Sequence, residues 1–269
     1  NTDLKEYFKI ESKFLKNDTW NFQNNEIQKK LSIISNKKKL LKDYCYSIFQ
    51  GIASGKDEVF YINAEEISEH KIEKNIVKKI LRGRDLKSYQ INWSGSYVIY
   101  PYDKNSRVIS EKDMKKNYPN AYYYLKTNKI KLQGRDYFDQ SNKLWFELWN
   151  QRKIDNFNKL RIIVPEISSK SNFALTDSFF GTTKTYHLLP MNKNLNHIKI
   201  LLALLNSGLI DYYYKKITTP QRGGYFAYKT KFLELIPIEE SIFEYKEIIP
   251  LVDEILKIKK LKSNNESNN

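Results

Sequence analysis

The chain has 269 residues, 41% hydrophobic and 14% aromatic, a composition that excludes a disordered polypeptide and allows a sizeable core. Its net charge of +15 matches a polyanion-binding surface, although only seven of the 46 basic residues are arginine and codon bias in an AT-rich genome produces the same lysine excess. One cysteine, Cys45, excludes an internal disulfide; His70, His187 and His197 offer no zinc-ligand spacing, and no apolar run reaches membrane-spanning length, so an intracellular setting is expected.

The first residues, Asn-Thr-Asp-Leu-Lys-Glu, lack a starting methionine and a signal-peptide pattern, and the chain reads as a piece of a longer protein. Residues 1–22 form a mixed lead-in with Tyr7, Phe8, Phe14, Leu15 and Trp20 as scattered anchors. From Asn24, the apolar residues Ile27, Leu31, Ile34, Leu40, Leu41 and Tyr44 recur near helical spacing and predict one or two amphipathic helices. Gly51, Ser54, Gly55 and Lys56 then stand before Val59-Phe60-Tyr61-Ile62, which reads as a buried strand. Such a loop reads either as a plain tight turn or as an anion cradle, in which glycines at positive φ present backbone N–H groups beside a hydroxyl and an ammonium. Residues 65–81 read as one helix with Ile67, Ile72, Ile76, Val77, Ile80 and Leu81 on a shared face. It ends at Arg82-Gly83-Arg84-Asp85, where Gly83 is expected as a left-handed cap and Asp85 as a partner orienting one of the two projecting arginines. Residues 97–102 read as a strand.

Ser110 with Asp113 predicts a helix cap, and Met114, Tyr118, Tyr122 to Leu125, Ile130 and Leu132 predict packed helices, with the three adjacent tyrosines read as core. Gly134-Arg135-Asp136-Tyr137 repeats the glycine, arginine, aspartate theme, and an aromatic run leads to Arg152. Strands are predicted over 160–167, 173–176 and 184–189, joined by the polar loops 168–171 and 181–184, an arrangement that suits an antiparallel meander. A buried helix is expected over 197–206 and a second after the Ser207-Gly208 break. A second glycine loop follows at 218–225, then a closing strand over 231–238, a helix over 243–261 and a low-complexity tail over 263–269.

Catalytic signatures are missing: there is no Walker loop, no GxGxxG, no HExxH, no nucleophile elbow and no pair of adjacent prolines. Asp3 with Glu11-Ser12-Lys13 mimics the residues of a metal-dependent nuclease but lacks evident supporting strands. The ordered segments Gly51-Ile52-Ala53-Ser54-Gly55-Lys56, Leu81-Arg82-Gly83-Arg84-Asp85, 97–102, Leu160-Arg161-Ile162-Ile163-Val164-Pro165-Glu166, Leu204-Leu205-Asn206-Ser207-Gly208 and Leu235-Ile236-Pro237-Ile238 resemble the TaqI-type C-terminal specificity domain. That domain is the target-recognition module of adenine-specific DNA methyltransferases and of fused type II restriction-modification enzymes. The resemblance covers residues 40–240.

The resemblance implies a division of labour. An upstream methyltransferase domain of the same chain would do the chemistry with S-adenosylmethionine, and a fused nuclease, where present, would use magnesium. This chain itself would carry no cofactor, no metal and no catalytic residue, and would bind double-stranded DNA in the bacterial cytoplasm without a membrane partner. Half of a type I specificity subunit is the runner-up, followed by a nuclease fragment and by an RNA-binding module stacking bases on Tyr122 to Tyr124.

The expected fold is mixed α/β (α+β), a curled, mainly antiparallel sheet with packed helices and a C-terminal helix. The lead-in occupies 1–40, the recognition domain 41–240, the helix 241–262 and a disordered tail 263–269. Arg82, Arg84, Arg135, Arg152 and Arg222 are the candidates for bidentate contact with guanine, and Gln221 for adenine. Lys56, Lys170 and Lys184 are assigned to phosphates, with Thr182 and Thr183 as hydroxyl donors. Gly51, Ser54 and Gly55 supply the first close approach to the duplex, and Gly223, Gly224 and Tyr225 the second. The Arg-Gly-Arg-Asp turn fits a reading head and an internal ion-paired corner equally well.

Overall fold

The computed structural model describes residues 25–266, except Lys37 and Tyr137. The anchors of the lead-in and the Asp3, Glu11, Lys13 grouping lie outside the described residues. The chain is mixed α and β, as the sequence predicts. Its first larger sheet is fully antiparallel, in the order Ala174–Thr176, Arg161–Pro165, Thr185–Pro190, Cys45–Gln50. Arg161–Pro165 and Thr185–Leu189 are buried throughout, which fits strands covered on both faces and explains their near-continuous apolar and β-branched run. A second sheet runs Phe180–Gly181, Val77–Leu81, Tyr97–Ile99, Tyr61–Ile62, and its Phe180–Gly181 pairing is parallel. A third, smaller sheet joins Pro220–Gln221, Tyr225–Ala227 and Ile167–Ser168.

Two apolar clusters support these sheets. One gathers Phe60, Ile80, Val98, Tyr100, Phe146 and Phe157 around the second sheet. The other packs Ile162, Leu188, Leu201, Tyr214, Phe232 and Val252 under the first. A small third cluster, Leu81, Leu86, Ile163 and Ala174, forms a bridge between them. The helix Leu195–Leu205 opens on an Asn194 cap, whose Oδ1 accepts from Asn196 N, and packs against the last helix, Ile248–Glu266, with Lys199 paired to Asp253 at 2.6 Å.

Several elements depart from the sequence expectation. The helical pattern from Asn24 ends after Asn25–Ser35; Lys39–Leu40 pairs with Pro237–Ile238, and Cys45–Gln50 is an outer strand of the first sheet. The predicted helix over 65–81 is a short helix, Ala64–Glu69, followed by the strand Val77–Leu81. Ile80 and Leu81 pair with Phe180–Gly181 on one side and Val77, Lys78 and Lys79 with Tyr97–Ile99 on the other, and tertiary pairing overrides the helical spacing. Asp57–Phe60 forms a helical turn, so the strand after the first glycine loop is only Tyr61–Ile62. Thr230–Leu233 is likewise helical, leaving Pro237–Ile238 as the closing strand. The last helix extends past residue 262 into the segment read as a tail.

Candidate nucleic-acid interface

The three larger sheets meet at a seam, and the seam is open. Strand Arg161–Pro165 passes through Glu166 into Ile167–Ser168, so one residue links the first sheet to the third. Phe180–Gly181 passes through Thr182, Thr183 and Lys184 into Thr185–Pro190, linking the second sheet to the first. Between these links and the turn after Val77–Leu81 lies a groove of about 580 Å³. Four cations line it, Arg82, Arg84, Lys87 and Lys184, against two carboxylates, Asp57 and Glu166. Tyr225 closes one edge and Leu86, from the bridging apolar cluster, contributes to the lining.

The arginine turn is built differently from the predicted cap. Gly83–Asp85 is a single 3-10 turn, and positive φ among the described glycines occurs at Gly55, Gly95, Gly223 and Gly224, not at Gly83. Asp85 is buried and accepts from the backbone N–H of Arg82 at 2.7 Å, so it fixes the turn rather than an arginine side chain. Arg82 is half-buried over the Tyr61 ring at 5.9 Å, and its Nε has no hydrogen-bond partner. Arg84 is exposed and has no ion pair among the described residues. Two guanidinium groups are thereby held on a rigid corner with donor capacity to spare, which is the property that planar recognition of phosphate or guanine requires.

The loop of Thr182, Thr183 and Lys184 is held from below by a buried network. Thr185 Oγ1 donates to the Thr182 carbonyl at 2.9 Å and accepts from His187 Nε2 at 3.1 Å, while His187 Nδ1 accepts from Arg161 Nε at 3.0 Å. Arg161 is completely buried and also donates to the Phe157 carbonyl at 2.6 Å and to the Phe179 carbonyl. Burial pushes the Arg161 guanidinium down to about 9, and burial followed by the Arg161 charge holds the His187 imidazole well below its ordinary range. His187 is therefore a neutral relay. Gly181 permits the arrangement, because a Cβ there would come within 2.2 Å of both His187 Nε2 and Thr185 Oγ1.

The other sequence candidates separate into three groups. Gly51, Ser54, Gly55 and Lys56 do not form an anion cradle: the backbone N–H groups of Gly51, Ile52 and Ala53 donate to Thr185, Gly181 and Asn150 carbonyls at 3.0, 2.7 and 3.0 Å, and Lys56 N donates to Ser54 Oγ. Ser54 is buried and its hydroxyl donates to Asp57, while Lys56 pairs with Glu58 at 3.3 Å. Arg135 is turned inward and donates to the carbonyls of Leu132, Glu147 and Trp145 at 2.6, 2.6 and 3.0 Å. That inward geometry excludes Arg135 from the groove surface. Arg152 donates to the Gln50 carbonyl at 2.9 Å and lines a separate depression beside Tyr46 and Lys159. Of the rest, Thr182 is buried in the groove wall, Thr183 accepts through its carbonyl from Gln50, and Lys170 is exposed outside the lining. Gln221, Arg222, Gly223, Gly224 and Tyr225 are all exposed on the hairpin of the third sheet, at one end of the groove.

Sequence reasoning missed Lys87, Glu166 and Asn172. Asn172 is engaged at both ends of its amide, its Oδ1 accepting from Ser88 N at 3.0 Å and its Nδ2 donating to Ser168 Oγ at 2.9 Å. Glu166 is buried between Lys184 at 3.1 Å and Lys229 at 4.0 Å. Local sequence marks none of these, since each is placed by chain segments far apart.

Comparison with known proteins agrees with this architecture. The family described as the TaqI-like C-terminal specificity domain matches residues 78–238. The type II methyltransferase M.MjaIV of Methanocaldococcus jannaschii is 30% identical over 218 residues, covering 78% of this chain and 70% of that protein. M.BstVI of Geobacillus stearothermophilus is 23% identical over 230 residues, and there the match covers 84% of this chain but 39% of the relative, so the chain spans well under half of that protein's length. The Type IIL restriction-modification enzyme MmeI, solved in complex with DNA, shares the fold with a TM-score of 0.55 at 13% identity, over 79% of this chain and 28% of MmeI. On the match to residues 78–238 and the likeness to M.MjaIV, the chain belongs to the TaqI-like C-terminal specificity domain family.

Proposed function

We propose that this chain recognises a specific sequence in double-stranded DNA, as the target-recognition domain of a type II adenine-specific methyltransferase. The observation that carries the reading is the groove at the seam of three sheets, where Arg82 and Arg84 stand on a braced corner opposite Lys184. Cations of this kind supply the salt-dependent attraction to phosphates, and arginines on a rigid support can also fork onto guanine O6 and N7. The exposed hairpin with Gln221, Arg222 and Tyr225 adds a second reading element beyond the groove edge. Relatives named as type II methyltransferases, one of them much longer than this chain, support a catalytic domain elsewhere in the parent, which would bind S-adenosylmethionine. A fused nuclease, if the parent carries one, would bring its own magnesium site.

Selection of this chain against a random-core duplex library, followed by mobility shift, tests the reading. Enrichment of a defined motif is expected, with weaker binding to all duplexes in an Arg82→Ala, Arg84→Ala double variant. A folded chain that enriches no motif contradicts it.

A further inference from the structure

The groove holds one buried carboxylate whose partners are ammonium groups. Glu166 is 9% exposed, its Oε2 lies 3.1 Å from Lys184 Nζ and its Oε1 4.0 Å from Lys229 Nζ, so its charge faces ammonium groups. Its backbone is clamped on both sides: Glu166 N donates to the Lys184 carbonyl at 2.8 Å, and the Glu166 carbonyl accepts from Tyr228 N at 2.7 Å. The backbone that carries the carboxylate is therefore fixed at the junction of the first and third sheets. Other acidic groups near the groove are already engaged, Asp57 by the Ser54 hydroxyl and Asp85 by the Arg82 backbone. Lys184, which covers Glu166, is the exposed partner, its side chain 70% exposed on a link between two sheets.

A buried carboxylate in a groove otherwise suited to a polyanion is unfavourable for phosphate binding, and it keeps acceptor sites beyond its contacts with Lys184 and Lys229. In the major groove of a duplex, the groups that donate to a carboxylate are the exocyclic amines of cytosine and adenine, N4 and N6. We propose that Glu166 is a specificity-determining residue that accepts a hydrogen bond from the exocyclic amino group of one base in the recognised site. The proposal rests on the duplex-recognition reading above. In the free protein Lys184 caps the carboxylate. On binding, the ammonium swings to a phosphate and the base amine donates to the carboxylate in its place, with Lys229, 4.0 Å from Oε1, left as the nearby cation. A base presenting only acceptors at that point, guanine or thymine, would meet a carboxylate it cannot satisfy, which is how such a site rejects.

The test is random-duplex selection with the wild-type chain and with Glu166→Ala and Glu166→Gln, each checked for folding by thermal melt. Wild type should specify, at one position, the pair and orientation that set an exocyclic amino group against Glu166. Glu166→Ala should lose that preference, discrimination falling from about tenfold or more to near one while the other positions keep theirs, and Glu166→Gln, which keeps an acceptor and adds a donor, should newly admit pairs presenting an acceptor there. Replacing the selected base by its analogue lacking the amino group should weaken wild type and leave Glu166→Ala unaffected, the signature of a direct pair. If Glu166→Ala binds every duplex more tightly with an unchanged motif, Glu166 is only a counter-ion to Lys184 and the proposal is overturned. Glu166→Gln decides the matter if the alanine variant does not fold. A wild-type chain with no motif at all overturns the duplex-recognition reading itself and this assignment with it.

Discussion

The chain contains two glycine loops of similar appearance, and they do opposite jobs. Gly51 lies against backbone: a Cβ there would approach the Gly181 and Thr182 carbonyl oxygens to 2.2 and 2.3 Å. Gly55, at φ +78°, lies 3.0 Å from Arg135 Cδ and 3.1 Å from Trp149 Cβ by the same measure. Gly224, also at φ +78°, has nothing within 4 Å, and with Gly223 it turns a hairpin whose tip is exposed. The first loop is a spacer that lets the two main sheets approach; the second is a free tip that can meet a ligand. Glycine in a loop marks a backbone requirement, and only the neighbours decide whether that requirement is packing or contact.

This contrast can be broken by substitution. The largest effect is expected from Gly51→Ala, which drives a methyl group into backbone that cannot yield and should lower stability by about 3 kcal/mol or more, read as a fall in denaturation midpoint. Gly55→Val should cost about 2 kcal/mol through left-handed strain at a branched residue and crowding of Arg135, so any loss of DNA affinity should track the fraction unfolded. A pH titration probes the network beneath the Thr182 loop, on which Gly51 rests. His187 is held neutral in the fold but titrates near 6.5 once unfolded, so the unfolded chain takes up a proton that the folded chain refuses. Stability should be full above about pH 6.5 and fall by up to about 1.4 kcal/mol per pH unit below it, and His187→Gln should flatten that slope in a urea titration series. Gly224→Ala should cost only about 1 kcal/mol, because strain is the sole penalty. Arg222→Ala should change stability by less than about 0.5 kcal/mol yet alter which duplexes are selected. Equal destabilisation at Gly51 and Gly224 would erase the distinction.

Much of the scaffold was readable from local chemistry. Ser110 announces its helix: Ser110 Oγ accepts from Asp113 N at 3.1 Å as a cap should. The β-branched run Arg161–Pro165 is a strand because nothing else accommodates it, and Tyr122 and Tyr124 are buried as core while Tyr123 faces out. The misreadings occur where periodicity is shared by two structures. Ile76, Val77, Ile80 and Leu81 fit a helix face, yet Ile76 closes a 3-10 turn, Val77 pairs with Ile99, and Ile80 and Leu81 pair with Phe180–Gly181 from a distant part of the chain. Of the site, the Arg82 to Arg84 corner and Lys184 were legible because exposed cations beside turn residues are visible locally. Arg135 was misplaced because its acceptors include the Trp145 and Glu147 carbonyls, and Glu166 was missed because its burial arises from the meeting of two sheets.

The central claim is that the seam groove and its hairpin read sequence rather than merely attract phosphate. The direct measurement is the dissociation constant of this chain for its selected duplex and for a scrambled duplex of equal length, at physiological salt. Sequence reading predicts a ratio of about a thousandfold or more. Equal affinities, falling together as salt rises, would show a phosphate-binding surface only and contradict the account.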